Sequence, residues 1–248
     1  MSEKKYKCLS VKSSVRFSVF FSATVLLVSA FFYQFMPQAT NISLPAGSSP
    51  SNVPTVILDP GHGGVDSGAV SVTGAEEKNL NLALAKKVGS FLEAGGIRVI
   101  YTRTEDTLLS SERGNSRKTK DLLGRVEIAG SHPNALFVSL HMNTLPIEKY
   151  RGLQSFYSDR NGKSEELAKS IQSTVSSLLQ PENNRKAKMT NGNVYILDRI
   201  DQPSVLIECG FLTNNEEARL LEDPLYQNKL AFTISRPILW YMQKSEEN

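Results

Sequence analysis

The stretch Thr55-Val56-Ile57-Leu58-Asp59-Pro60-Gly61-His62-Gly63-Gly64 decides the fold. A short apolar run ends abruptly in turn residues, which is the signature of a buried strand feeding a tight loop. Three glycines around His62 let the backbone turn sharply and keep bulk away from the imidazole. Similar strand-like runs recur at Ile97 to Thr102, Leu136 to His141, Gly152 to Tyr157, Asn193 to Ile196 and Ser204 to Glu208. Between them, Leu80, Leu82, Leu84, Val88 and Leu92 mark a helix, as do Leu167, Ile171, Val175 and Leu178, and a last helix is expected over Pro224 to Met242. Strands alternating with helices predict an α/β fold, a mostly parallel six-stranded sheet with helices on both faces. Working residues of such sheets sit just past the carboxyl ends of the strands.

Before this domain the chain reads as an export segment. Lys4, Lys5, Lys7, Lys12 and Arg16 form a basic flank over residues 1–16, and Phe17 to Met36 run without a charge for about the length that spans a bilayer as a helix. The next charged residue is Asp59, so the asymmetry places the N-terminus inside and everything after Met36 outside. Val28-Ser29-Ala30 resembles a cleavage site, but Phe31, Phe32 and Tyr33 continue the apolar run, which favours an uncleaved membrane anchor over residues 17–36. Residues 37–54, rich in Pro, Ser, Asn and Gly, read as a flexible linker. The folded domain is expected over residues 55–243, on the extracytoplasmic side.

Composition narrows the function classes. The net charge of +3 is too slight to argue for nucleic acid. Cys8 and Cys209 lie on opposite sides of the apolar segment, so an internal disulfide is not expected, and Cys209 reads as a small buried hydrophobe. A monomer is expected.

Three strand ends carry acid–base groups: His62 after the first strand, His141 closing Leu136 to His141, and Glu208 closing Val205-Leu206-Ile207. The third histidine, His132, lies in a Ser-His-Pro loop and reads as inert. Two strand-end histidines with carboxylates at hand fit a hydrolytic zinc site of His, His and Glu with an open position. The third ligand should come from Glu76 or Glu77 at the start of the first helix. Adjacent helical residues point about 100° apart, so both cannot face one metal; spacing alone leaves the choice open. Neither Thr104 to Lys120 nor Thr144 to Arg151 shows an amphipathic pattern, so no helix is expected over the site.

The run Val56 to Gly64, Glu77-Lys78, Tyr101-Thr102-Arg103, Ser139 to Asn143 and Glu208 to Asn214 together resemble the zinc-dependent N-acetylmuramoyl-L-alanine amidases, over about Thr55 to Tyr241. Thr144 departs from the alanine common in that family after the asparagine, which puts no ligand in doubt. The resemblance implies an enzyme that cuts peptidoglycan between the lactyl group of N-acetylmuramic acid and L-alanine of the stem peptide. It implies Zn²⁺ held by His62, Glu77 and His141, and Glu208 as the catalytic carboxylate. Asp59, Arg103 and Asn143 are candidates for supporting the ligands or the substrate, with structural roles equally open. Short length, the anchor, the missing wall-binding repeats and Arg185-Lys186-Ala187-Lys188 resemble the sporulation subgroup, which prepares muramic δ-lactam for germination; an activating protein partner is a further expectation. The rivals are a zinc peptidoglycan peptidase and a non-catalytic wall-binding module, the latter disfavoured by the retained Glu208.

Overall fold

The computed structural model describes residues 53–110, 117–160 and 162–246. The expected basic flank, membrane anchor and all but the last two residues of the expected linker lie outside the described residues, and no helix among those described is long and apolar enough to cross a membrane.

Six strands form one sheet: β1 (Thr55–Pro60), β2 (Arg98–Tyr101), β3 (Leu136–Asn143), β4 (Gln154–Tyr157), β5 (Lys188–Met189) and β6 (Ser204–Phe211). Their order is β2-β1-β3-β6-β4-β5. The pairs β1–β2, β1–β3 and β3–β6 are parallel, β4–β6 is antiparallel, and β5 follows β4 in parallel. The sheet is therefore mostly parallel, as the alternation of strands and helices implied. Five helices accompany it among the described residues: α1 (Glu77–Ala94), α2 (Arg117–Gly130), α3 (Gly162–Leu178), α4 (Asn215–Glu222) and α5 (Pro224–Glu246).

Strand alternation divides the core into two layers. Val56 and Leu58, Leu136, Val138 and Leu140, and Val205, Ile207 and Cys209 point to one face, where Leu84 and Val88 of α1, Leu167 and Ile171 of α3 and Ile234 of α5 bury them. Ile57, Phe137 and Leu206 point to the other face, covered by Leu122, Val126 and Ala129 of α2 and by Ile196, Leu197 and Ile200. Cys209 is fully buried in the first layer, as a small hydrophobe would be, and burial pushes its thiol pKa up. The site residues Asp59, Ser139, His141 and Glu208 continue the second-face rows toward the strand ends.

Three expectations are corrected. Asn193 to Ile196 is not a strand. Its backbone folds into turns closed by Asp198 N–H to the Val194 carbonyl and Arg199 N–H to the Ile196 carbonyl, while the Asp198 carboxylate accepts from Val194 N–H. The fifth strand is the two-residue Lys188–Met189 instead. Two helices escaped the apolar periodicity. The inward stripe of α2 is interrupted by buried Asp121 and Arg125, and α4 is eight residues long with Glu216 and Glu217 in its first turn. Finally, α2 starts inside the segment expected to be free of helix. It walls the cleft without filling it, and about 270 Å³ stays open beside His62, His141 and Glu208.

Candidate functional site

The loop after β1 is built around His62. Its φ is 62°, a left-handed conformation that side chains other than glycine rarely adopt. Arg103 and Arg125 hold it there. The Arg103 guanidinium donates to the carbonyls of Pro60, Gly61, Lys78 and Glu105 at 2.8–3.0 Å. Arg125 donates to the carbonyls of Pro60 at 3.0 Å and His62 at 2.8 Å. Gly61 is required by contact: a Cβ there would lie 2.1 Å from Cε1 of His141. Gly68 is required twice over, by a φ of +65° and because a Cβ would lie 2.5 Å from Oε2 of Glu77.

Glu77, His62 and His141 converge. Oε1 of Glu77 lies 3.3 Å from Nε2 of His62 and 3.0 Å from Nδ1 of His141. Each residue offers one ligand atom, and the three atoms lie within 4.8 Å of one another. Glu76 points the other way, toward Lys78 and Asn79, so the start of α1 delivers only Glu77 to the histidines. The Glu77 carboxylate is fixed by backbone donors, Ala69 N–H to Oε2 at 2.9 Å and Met142 N–H to Oε1 at 3.1 Å. Burial alone would raise its pKa, but hydrogen bonds with His141 and His62 outweigh that and hold the carboxyl well below its usual range. Two imidazole nitrogens and an ionised carboxylate are the donor set that suits a divalent transition metal.

Two further carboxylates complete the site. Asp66 places Oδ2 2.9 Å from Nδ1 of His62. That contact orients the ring so that Nε2 faces Glu77, the arrangement that fixes a ligand histidine in other metal sites. Asp66 was not singled out in the sequence, although a carboxylate four residues past His62 in the same glycine-rich loop was an available signal. Glu208 stands opposite His141 in the β3–β6 register, half-buried, with Oε2 shut off from solvent and without a partner among the described residues. Burial pushes its pKa up to about 7, with the nearby Glu77 charge adding to the rise and His141 and His62 opposing it.

The other candidates do different work. Asp59 is fully buried and bonds to Arg125, to Thr102 Oγ1 at 2.7 Å and to Ser139 Oγ at 2.7 Å; it makes no hydrogen bond to a histidine. Arg103 is spent on backbone carbonyls and knits the loop together. Asn143 accepts the Leu212 N–H at 2.9 Å through its carbonyl and sits where the β3–β6 register shifts. His132 lies apart, its Nδ1 3.0 Å from the Ile128 carbonyl. Arg125, which ties α2 to the His62 loop, carried no sequence signal for that role because its partners there are 63 to 66 residues away.

A mostly parallel α/β sheet with a His-Glu-His cluster and a protonatable carboxylate at its strand ends defines a hydrolase domain. The sequence profile of N-acetylmuramoyl-L-alanine amidase matches residues 56–239, and the chain belongs to that family. Its reaction is accordingly hydrolysis of the amide between the lactyl group of N-acetylmuramic acid and L-alanine in peptidoglycan. The chain is 38% identical to the germination-specific N-acetylmuramoyl-L-alanine amidase of Bacillus subtilis, over 93% of this chain and 96% of that one. Among solved structures it resembles the CwlD amidase from Clostridioides difficile, determined in complex with the GerS lipoprotein, with a TM-score of 0.74 and 38% identity over 77% of this chain and 99% of that one. It also resembles the amidase AmiC2 of Nostoc punctiforme, with a TM-score of 0.67 and 33% identity over 79% and 99%.

Proposed function

We propose that His62, Glu77 and His141 hold one zinc ion and that Glu208 is the general base and acid of the amidase reaction. The observation that carries this reading is Oε2 of Glu208, a buried, unpartnered carboxylate oxygen facing the cluster across one strand spacing. A buried polar atom without a partner is rare and calls for a ligand, ion or water. The donor chemistry fits zinc, and three protein ligands leave a position for a reactant, as catalytic rather than structural sites do. When bound, zinc supplies Lewis-acid chemistry, polarising a carbonyl and acidifying water.

The chain's own residues supply the rest. Burial raises the pKa of Glu208 toward neutrality, which suits a carboxylate that takes a proton from water and returns it to the leaving amine of L-alanine. Asp66 keeps the His62 lone pair on Nε2 aimed at the cluster, and the backbone N–H groups of Ala69 and Met142 hold Glu77 against rotation.

The wider setting is part of the same reading. The likeness to a germination-specific amidase supports action on spore-cortex peptidoglycan, in the step that leads to muramic δ-lactam. The apolar run of residues 17–36 would hold the domain outside the membrane. A relative solved in complex with a lipoprotein supports a protein partner for this chain. The test is digestion of purified muropeptides by the protein with and without added zinc, read by mass spectrometry. Release of intact stem peptides with an L-alanine N-terminus, dependent on zinc, is expected. Cleavage within the peptide would overturn the reading in favour of a peptidase.

A further inference from the structure

The basic stretch Arg185-Lys186-Ala187-Lys188 has no part in the site as described so far, yet the strand next to Glu208 holds its first residue. Two register facts do this. In the antiparallel β4–β6 pair Gln154 lies directly opposite Glu208, so both side chains stand on the same face, about 5 Å apart at the backbone. In the β3–β6 pair His141 faces Glu208 while Asn143 faces Phe211. Two residues on β3 thus match three on β6, a bulge that turns Phe211 onto the face of Glu208, where strict alternation would have turned it away. Bulges beside active sites commonly re-aim a side chain in this way.

Both of these neighbours of Glu208 hold Arg185. Its guanidinium carbon lies 4.5 Å from the centre of the Phe211 ring and 5.7 Å from that of Tyr150. Its Nη1 donates to Oε1 of Gln154 at 3.2 Å and its Nε to the Arg151 carbonyl at 2.9 Å. Gln154 is fixed from its other end, Nε2 donating to the Lys186 carbonyl at 3.0 Å. The result is a half-buried, stacked guanidinium whose Nη2 makes no hydrogen bond among the described residues, and which forms no ion pair among them. Glu217 lies near enough to feel the charge, but its carboxylate is occupied by the N–H groups of Gly152 and Phe211. Arg151 is paired with Glu216. Arg185 is therefore the preorganised cation of this wall, with a free edge of the planar fork that matches a carboxylate.

We propose that Arg185, held by Gln154 and Phe211 beside Glu208, binds a carboxylate on the second residue of the stem peptide and makes the enzyme select peptides that carry it. This rests on the amidase reading above. The spacing agrees: one strand separation plus the Gln154 side chain puts the guanidinium on the order of 10 Å from Glu208. Two extended peptide residues span roughly 7 Å, and a side chain or carboxylate covers the remainder.

The test compares two synthetic muramyl peptides that differ only at the second residue, one with a free α-carboxylate and one with a primary amide, using the zinc-loaded full chain. The wild-type protein should prefer the carboxylate form by about 10-fold to 100-fold in kcat/KM, mostly through KM, the range of a charge-assisted hydrogen bond. In Arg185→Gln that ratio should collapse toward one, and Arg185→Lys should keep part of it. A wild-type ratio near one, or an unchanged ratio in Arg185→Gln, would overturn the proposal; the wild-type comparison stands even where a variant folds poorly. Failure of the wild-type protein to cut either peptide would overturn the amidase reading and this subsite with it, a result distinct from cleavage of both at equal rates.

Discussion

Glu208 faces His141 across the β3–β6 ladder with one carboxylate oxygen buried and unpartnered, while Glu77 uses both of its oxygens on the histidines and on backbone N–H groups. Two glutamates thus share one cluster in different chemical states. Glu77 is held ionised by its neighbours, and Glu208 is poised near neutrality by burial. On the proposed reading this difference suits the ligand role to the first and proton transfer to the second.

The assignment predicts opposite losses. Glu208→Gln keeps the size of the side chain but cannot accept a proton, so turnover should fall by about 10² to 10⁴ while zinc stays near one per chain. Glu77→Gln should lose zinc as well as activity. Metal analysis and muropeptide turnover measured on both variants check this, and zinc lost from Glu208→Gln but retained by Glu77→Gln would exchange the two roles.

Asp66 gives an independent handle on the metal. Its only proposed task is to orient His62 through the 2.9 Å contact to Nδ1. Asp66→Ala should weaken zinc binding by about 10-fold to 100-fold, measured by competition with a chromophoric chelator. His62→Ala and His141→Ala should lose zinc far more severely, and equal affinity in Asp66→Ala and wild type would remove Asp66 from the metal centre.

Glu208 also predicts a pH dependence in the metal-free protein. Its folded pKa is raised from 4.5 to about 7, so the folded state holds the proton more tightly than the unfolded chain. The stabilising contribution is complete below pH 4.5, fades as pH rises, and is lost above about 7. A shift of that size is worth about 3 kcal/mol at most. In the presence of chelator, urea midpoints of wild type should therefore fall relative to Glu208→Gln between pH 5 and pH 8. Parallel curves for the two proteins would show that Glu208 is not buried as described.

Much of the architecture was legible because it depends on local pattern. The apolar runs of β1, β3 and β6 end in His62, His141 and Glu208, and the leucine spacing of α1 and α3 is plain in the sequence. What was illegible depends on contacts between distant residues. Lys188–Met189 pairs with β4 but is too short to show alternation, and Asn193 to Ile196 looked like a strand because its apolar side chains are buried, although Asp198 closes its backbone into turns. The inward face of α2 carries Asp121 and Arg125, polar residues that break the periodic signal; Arg125 is buried there because its partner Asp59 lies on β1, and Asp121 because it binds Arg125 and the Leu109 N–H. The choice between Glu76 and Glu77 likewise needed the position of α1 relative to β3.

The Asp59–Arg125 pair should matter to stability more than any surface charge in the molecule. Asp59 is fully buried, and burial alone would raise its pKa; the Arg125 guanidinium and the hydroxyls of Ser139 and Thr102 instead bring it below its usual value. Arg125→Met leaves that carboxylate charged in an apolar setting and also releases the carbonyls of Pro60 and His62. A loss of about 3–5 kcal/mol is expected, the cost of removing one partner of a buried pair. Because a lowered carboxylate pKa contributes stability that is present above the unfolded value and lost as pH falls through the folded one, the wild type should lose this margin toward acid while Asp59→Asn does not. The double variant Asp59→Asn with Arg125→Met should recover part of the loss, since no unpaired charge remains. Urea unfolding of the four proteins at pH 7.5 gives the coupling directly. If the single losses simply add in the double variant, the two residues do not act as a pair, and Arg125 contributes through the carbonyls of Pro60 and His62 instead.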